Sequence, residues 1–225
     1  MIDTRINAVG QLQQTELDAT FATRAVEDLV LKGYTVQPSS LPLALLVGLQ
    51  EQVYSLSSDD FEHAGIGRAR DYHRNQFVRS DDVCWMTGES AVGAAWLDWC
   101  EQLRLELNRQ LFLGLFSFES HYAWYRAGAY YKRHYDAFRG QANRVLSMVS
   151  YLNSDWALDD GGELILYESD ADKEGLRVTP LAGTTVLFLS ERFPHEVLPA
   201  KRDRYSIAGW FRVNSSNADI IDPPR

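Results

Sequence analysis

The stretch that decides the fold is 116–136, FSFESHYAWYRAGAYYKRHYD, in a chain of 225 residues. From Phe118 to Tyr125 apolar and polar side chains follow a period of two residues, which is typical of a β-strand. Further on, His134 and Asp136 are two residues apart in a second strand-like run, so both side chains are expected on one face of a sheet. An imidazole and a carboxylate on one face can bind the same metal ion. The stretch therefore predicts both a β-rich fold and a metal site.

Short strand-like runs continue toward the C-terminus and are separated by turn sequences rich in Gly, Pro and Asp. They cover 130–136, 144–152, 163–168, 184–189 and 204–213. Many short strands at this spacing are typical of an antiparallel sandwich or barrel. We therefore expect a mainly β core in the second half of the chain.

The residues before 116 have helical periodicity instead. We expect one helix that stops at Gly33, a second that starts with Ser40 as its N-cap, and a third from about Ser90 to Leu113. Because the helices come first and the strands follow, the order predicts an α+β fold with helices packed on one side of a β-sandwich.

Composition narrows the function classes. The chain has 22 Lys and Arg against 31 Asp and Glu, which gives a net charge of −9. This charge argues against a protein that binds duplex DNA, and we expect no nucleic-acid partner. Two cysteines, Cys84 and Cys100, exclude a disulfide framework and indicate a reducing compartment. The N-terminus does not resemble a signal peptide and no apolar stretch is long enough to span a membrane, so we expect a cytoplasmic protein without a membrane partner.

The segment Gly65–Arg79, GIGRARDYHRNQFVR, is basic in this acidic chain. Two interpretations stay open, a solvated surface loop or a finger that contacts an acidic or phosphate-bearing partner. We call this segment the finger. Its arginines are Arg68, Arg70, Arg74 and Arg79.

His195, after the run 184–189, is the natural third ligand for a metal held by His134 and Asp136. Two imidazoles and one carboxylate suit non-haem Fe(II) with open positions. The HxD pair alone is a weak signal, because a surface ion pair has the same pattern. Arg204 strengthens the prediction of a metal site, since burying a guanidinium inside a β-sandwich costs free energy unless it binds an anion. A dicarboxylate cosubstrate, with one end on iron, would meet that need.

Five motifs carry a resemblance to a known family. They are RHYDAF (133–138), SYLNSDW (150–156), DDGGELILY (159–167), SERFPHEVLPA (190–200) and RYSIAGWF (204–211). Together they resemble the Fe(II)- and 2-oxoglutarate-dependent oxygenases, and most of all the prolyl hydroxylases that act on the animal hypoxia-inducible transcription factor and their bacterial relatives. The resemblance is fainter at RNQFVRSDDVCWM (74–86), where those enzymes carry a substrate finger.

The resemblance implies a double-stranded β-helix (jelly roll) with N-terminal helices on its major sheet. It implies Fe(II), 2-oxoglutarate and O₂ as cofactors and cosubstrates, with ascorbate as a candidate reductant. His134, Asp136 and His195 would bind the iron and form the catalytic centre. We expect one oxygenase domain over 1–225, with helical support and the finger (65–79) in 1–113, the catalytic core in 114–214 and a tail in 215–225.

The same resemblance implies roles in binding the cosubstrate and the substrate. Arg204 and Tyr151 would bind the distal carboxylate of 2-oxoglutarate, and Tyr125 would line the cosubstrate pocket. Arg144 and Trp210 would flank the bound prolyl peptide. Tyr151 and Trp210 are also compatible with plain core packing.

Arg74 of the finger is a further candidate substrate contact. The implied activity is hydroxylation of a prolyl residue in a protein, by a chain expected to be a monomer, and translation elongation factor Tu is the first candidate partner. Two alternatives remain. The substrate could be another protein side chain or a small metabolite, or the chain could be a non-catalytic jelly-roll metal-binding sensor module.

Overall fold

A computed structural model describes residues 15–64, 78–137 and 143–214. Three α-helices occur in these residues: α1 (Ala19–Leu31), α2 (Leu43–Ser55) and α3 (Ala91–Leu111). Short 3₁₀ turns cover Ser58–Asp60 and Leu158–Asp160. The described strands are β1 (Tyr34–Gln37), β2 (Glu62–His63), β3 (Asp82–Trp85), β4 (Ser117–Tyr125), β5 (Tyr131–His134), β6 (Arg144–Tyr151), β7 (Leu164–Leu166), β8 (Leu176–Val178), β9 (Thr185–Leu189), β10 (His195–Val197) and β11 (Arg204–Arg212).

The strands form two antiparallel sheets. The major sheet has the order β1-β9-β6-β11-β4-β3-β2, and the minor sheet has the order β5-β10-β7-β8. One apolar cluster joins the inner faces of both sheets, with Tyr125, Tyr151 and Phe188 from the major sheet and Leu164 and Val197 from the minor one. The predicted sandwich is therefore confirmed.

The helices cover the outer face of the major sheet. On α3 the buried residues Trp96, Cys100, Leu103 and Leu107 recur at intervals of three or four, as a one-sided helix requires. They pack in one cluster with α1, α2 and outward-facing strand residues such as Ile207. Burying each large apolar side chain contributes about 1.5–3 kcal/mol. Among the described residues, no helix combines the length and the apolarity needed to cross a bilayer.

Alternation along β4, β6 and β11 sorts side chains between the two faces of the major sheet. On β11, Ile207 and Phe211 belong to the cluster with the helices, while Arg204 lies on the other face, against Tyr125 and Tyr151. A single strand thus contributes to the helix-covered core and to the space between the sheets.

Several details differ from the sequence-based expectation. The second helix begins at Leu43, and the Ser40 hydroxyl donates to the carbonyl of Gly183 instead of capping it. Strand β1 was missed between the first two helices. It pairs with β9 at the edge of the major sheet, and its partner is distant in sequence. His195 lies on a three-residue strand of its own, β10, which is too short to show a period of two. The stop of α1 at Gly33, with φ of 83°, is as predicted.

Two predicted regions lie outside the described residues. They are the tail 215–225 and residues 65–77 of the finger, which include Arg74.

Candidate active site

The minor sheet brings the three predicted metal ligands together. His195 on β10 is the direct register partner of His134 on β5. Asp136 lies in a bend just after β5, not in the strand as predicted, yet its carboxylate still reaches both rings. Its Oδ1 lies 3.5 Å from His134 Nε2, and its Oδ2 lies 3.6 Å from His195 Nε2. One ligand atom from each residue falls within 4.8 Å of the others, and no other group of three such side chains does so in the described parts of the chain.

Backbone carbonyls fix the orientation of both imidazoles. His134 Nδ1 lies 2.8 Å from the carbonyl oxygen of Lys132, and His195 Nδ1 lies 3.2 Å from that of Phe193. A carbonyl oxygen only accepts, so each Nδ1 carries the proton and donates. In the neutral imidazole with its proton on Nδ1, Nε2 carries a lone pair on the side of Asp136, which is the tautomer that a metal ligand needs.

Electrostatics keep Asp136 and His195 in the protonation states that bind metal. Burial alone would raise the pKa of Asp136, but the nearby His195 and His134 rings hold that pKa well below its usual value. Burial, together with the adjacent His134, lowers the pKa of His195 to about 4. At neutral pH Asp136 is ionised and His195 is neutral, and these are the forms that bind metal. Two imidazole nitrogens and one carboxylate oxygen fit a divalent iron centre.

Arg204 is buried in the same space between the sheets. Its side chain is 1% exposed and forms no ion pair with a carboxylate of the described residues. Its Nε donates to the carbonyl of Gly162 at 2.9 Å and its Nη1 to the hydroxyl of Ser206 at 3.1 Å. These two hydrogen bonds use two of the five N–H donors of the Arg204 guanidinium. A buried guanidinium without an anion is costly, so the arrangement fits an incoming carboxylate.

Two tyrosines surround this guanidinium. The Arg204 carbon Cζ lies 4.9 Å from the ring centre of Tyr125 and 5.1 Å from that of Tyr151. The Tyr151 hydroxyl is buried and has no hydrogen-bond partner among the described residues. Burial raises the pKa of Tyr151 to about 12, so this hydroxyl keeps its proton. A buried proton donor beside a buried cation fits a carboxylate group such as the distal end of 2-oxoglutarate.

Gly162 belongs to the site although its role was not predicted. Its φ is 71°, a conformation that side chains rarely adopt, and a Cβ there would lie 3.1 Å from Arg204 Cδ. Its carbonyl accepts from Arg204. The GG pair of the 159–167 motif was the available signal, because two successive glycines permit such a close approach of the backbone.

Arg144 and Trp210 form a wall of the same inner face. The Arg144 carbon Cζ lies 3.6 Å from the Trp210 ring centre. Arg144 also forms an ion pair with Glu119 at 2.9 Å, and Arg212 approaches the other oxygen of Glu119 at 3.3 Å. Glu119 was not predicted, since the sequence does not reveal which buried carboxylate balances these arginines. Trp210 is mostly buried, so core packing accounts for part of its role.

Arg79, at the described end of the finger, is connected to His134 of the triad through the ring of Tyr131. Arg79 binds Asp81 with two hydrogen bonds of 2.7 and 2.6 Å. Its guanidinium lies 4.5 Å from the ring centre of Tyr131, and that ring stacks on His134 at 3.5 Å. The RxD motif at the end of the finger is therefore part of the wall around the site.

The comparisons with known proteins agree with this geometry. The model of the 2OG-Fe(II) oxygenase superfamily matches residues 120–212, which contain all three triad residues and Arg204. A prolyl-4-hydroxylase from Pseudomonas putida is 37% identical, with a TM-score of 0.77 over 87% of this chain and 100% of that chain. A prolyl hydroxylase from Trichoplax adhaerens, solved with a peptide fragment of the hypoxia inducible factor oxygen degradation domain, is 25% identical, with a TM-score of 0.74 over 90% and 92%.

A curated relative is the hypoxia-inducible factor prolyl hydroxylase of Caenorhabditis elegans, 35% identical over 74 residues. That alignment covers 32% of this chain and 10% of the relative's own length. The likeness to the two solved structures covers nearly the whole chain, and it confirms the jelly-roll fold that the sequence motifs implied.

Proposed function

This chain belongs to the 2OG-Fe(II) oxygenase superfamily, and we propose that it hydroxylates a prolyl residue of a protein substrate. In this reaction 2-oxoglutarate is oxidised to succinate and CO₂, one oxygen atom of O₂ enters succinate and the other enters the new C–OH group. The observation that carries the proposal is a buried Arg204, without a carboxylate partner among the described residues, in the same inner space as the His134, Asp136 and His195 cluster.

The triad would hold the iron. When bound, Fe(II) supplies the oxygen activation and the oxidation of the substrate C–H bond. His134 and His195 present Nε2 lone pairs, and the Asp136 carboxylate supplies the negative charge. Because the Nδ1 protons are held by backbone carbonyls, both rings keep their orientation before metal arrives.

Arg204 and Tyr151 would bind the distal carboxylate of 2-oxoglutarate, and Tyr125 would pack beside it. Gly162 and Ser206 hold the guanidinium plane in place, so little side-chain entropy is lost on binding. Two donors in a desolvated pocket favour a dicarboxylate over a monocarboxylic acid.

We infer that Arg144 and Trp210 contact the prolyl segment of the substrate. An arginine and an indole on one wall offer hydrogen-bond donors beside an apolar surface, which suits a backbone carbonyl next to a pyrrolidine ring. The Trichoplax protein was solved with a peptide from another protein, which supports a protein substrate for this chain. Elongation factor Tu remains the first candidate, on the resemblance to bacterial prolyl hydroxylases alone.

We also infer that the finger selects the protein substrate and does no chemistry. Its support is the basic composition of 65–79 and the contact chain from Arg79 through Tyr131 to His134. Arg74 would contribute a substrate contact. Replacing 65–75 with a short Gly/Ser link should slow hydroxylation of an intact protein while uncoupled succinate formation continues. An unchanged rate on the intact protein would make the finger a connector only.

Helical support and catalytic core would form one domain, because α1–α3 and the major sheet share one apolar cluster. A sensor module that only binds metal would need the triad, but it would gain nothing from a buried Arg204. Another protein side chain or a small metabolite remains an alternative substrate, and the assay below separates these cases.

The test is a direct assay of the purified protein with Fe(II), 2-oxoglutarate, ascorbate and O₂. We expect succinate formation that increases when a proline-containing substrate is added, and a mass increase of one oxygen atom at a prolyl residue. Elongation factor Tu is tested first, followed by a whole-cell lysate mapped by mass spectrometry. Modification of a different residue type would favour the other enzymatic alternative. Metal binding without any succinate would favour the sensor module.

A further inference from the structure

Two buried serines connect the metal triad to the major sheet. Ser147 on β6 and Ser190 just after β9 are 1% and 0% exposed. The Ser147 hydroxyl lies 2.6 Å from Asp136 Oδ2, and the two serine hydroxyls lie 2.9 Å apart. Ser147 lies in the major sheet and Ser190 directly follows one of its strands, whereas Asp136 follows a strand of the minor sheet. The contact therefore crosses the sandwich.

The direction of these hydrogen bonds follows from the charge of Asp136. An ionised carboxylate only accepts, so Ser147 must donate its single proton to Asp136. The contact between the serines is then made by the proton of Ser190, donated to the Ser147 oxygen. The result is an ordered row, Ser190 to Ser147 to Asp136, in which each hydroxyl has its proton assigned.

We propose that Ser147, supported by Ser190, is a positioning residue that prepares Asp136 to bind the metal; this rests on the proposed function. Asp136 lies in a bend, where the backbone alone fixes a side chain less firmly than a strand does. The bond from Ser147 holds the carboxylate across the sandwich and occupies a lone pair of Oδ2. It leaves Oδ1, which faces His134 Nε2, as the freer ligand atom. Outer partners of this kind typically change metal affinity about 10–100-fold.

A purely structural explanation is that Ser147 is a polar core residue with a satisfied hydroxyl. The same strand provides a matched case of such a residue. Ser150 is fully buried and its hydroxyl lies 2.8 Å from that of Thr185. Being three residues from Ser147, it lies on the opposite, helix-covered face of β6. Ser150→Ala therefore removes an equally buried hydrogen bond between two hydroxyl groups without touching Asp136.

The experiment measures Mn(II) binding to the full-length protein after chelation, by isothermal titration, for the wild type and four variants. We expect Ser147→Ala to weaken Mn(II) binding about tenfold or more. Ser147→Thr keeps a hydroxyl and should stay within about threefold of wild type, and Ser190→Ala should lose about threefold. Ser150→Ala should bind Mn(II) as the wild type does. Urea unfolding of the metal-free proteins shows whether Ser147→Ala and Ser150→Ala are equally folded.

The outcomes separate this inference from the proposed function. If the wild type binds Mn(II) and forms succinate while Ser147→Ala keeps the wild-type affinity, the positioning role is wrong and the function stands. Equal weakening in Ser147→Ala and Ser150→Ala would also overturn it, because the loss would then be general. A wild-type protein that binds no Mn(II) and forms no succinate would overturn the proposed function itself.

Discussion

The two faces of the major sheet are built from the same strands but have opposite chemistry. The outer face packs α1–α3 against apolar residues such as Ile207 and Phe211. The inner face buries Arg204, the Tyr151 hydroxyl and the Glu119 carboxylate. The outer face gains free energy from apolar burial, while burying polar groups on the inner face costs free energy unless a partner is supplied. We infer that apolar burial between the helices and the outer face offsets the free-energy cost of burying the polar groups of the inner face.

The largest effect should come from Asp136→Ala. Removing the one carboxylate of the triad takes away its negative charge, so we expect loss of detectable succinate formation and of Mn(II) binding. Folding of the metal-free protein should be preserved, because the variant removes a buried charge. The matched control is Asp159→Ala, at a carboxylate that is 84% exposed. A fully active Asp136→Ala protein would contradict the metal assignment.

Arg204→Ala tests the cosubstrate side of the inner face. Truncating one partner of a charge-assisted pair in a desolvated site costs about 2–5 kcal/mol, so the 2-oxoglutarate requirement should rise at least tenfold while Mn(II) binding persists. Arg204→Lys should restore only part of the affinity, because an ammonium group keeps the positive charge but lacks the planar fork of a guanidinium. Arg202→Ala, at a half-exposed neighbour, is the control. An unchanged dependence on 2-oxoglutarate in Arg204→Ala would rule out the role.

Leu103→Ala tests the outer face alone. Leu103 is fully buried on α3, and truncating such a leucine costs about 2–5 kcal/mol of unfolding free energy. The folded protein should keep the wild-type affinity for 2-oxoglutarate. This affinity is measured by titration with 2-oxoglutarate at a temperature well below the unfolding midpoint of the variant. Leu105→Ala, on the same helix but 54% exposed, should change stability little. Loss of 2-oxoglutarate affinity in folded Leu103→Ala would show that the two faces are not separable.

The two faces also differed in how well the sequence predicted them. Helix periodicity located the buried side of α3 through Trp96, Cys100 and Leu103, because local spacing determines which residues share a face. Motif spacing predicted that the triad residues lie together and that Arg204 is buried inside the sandwich. Ser147 and Glu119 were missed, since their partners lie on other strands and only packing brings them together. The wrong cap at Ser40 has the same cause, a tertiary partner at Gly183.

Replacing Cys84 and Cys100 with serine should leave activity intact, since neither thiol belongs to the inner face site. Both thiols are free, and burial raises the pKa of Cys100 well above its usual value, so it stays protonated. A serine hydroxyl at the fully buried position 100 would cost about 1–3 kcal/mol of unfolding free energy if left unpaired. Chemical unfolding and succinate assays measure the two effects. Loss of Mn(II) binding in this variant would contradict a structural role.

A smaller effect on 2-oxoglutarate binding than that of Arg204→Ala should come from Tyr151→Phe, which removes one hydroxyl from the inner face. Loss of a hydrogen bond to a carboxylate costs about 1.5–3 kcal/mol, so the affinity for 2-oxoglutarate should fall about tenfold or more while the Arg204 contact remains. Tyr54→Phe is the control, because the Tyr54 hydroxyl donates to the carbonyl of Leu152 and takes no part in the site. Equal losses in both variants would mean that the Tyr151 hydroxyl is an ordinary core group.

The pH dependence of Tyr151 gives a second measurement of the same group. Burial raises the pKa of Tyr151 to about 12 in the folded protein, above the value of 10.0 for an unperturbed tyrosine. A raised tyrosine pKa means that the unfolded state loses its proton first, so stability is lost as pH rises from about 10 through about 12. Tyr151→Phe should lack this part of the alkaline loss in unfolding free energy. Between pH 6 and pH 9, about the working range, neither stability nor 2-oxoglutarate affinity should change through this group, because its proton stays bound.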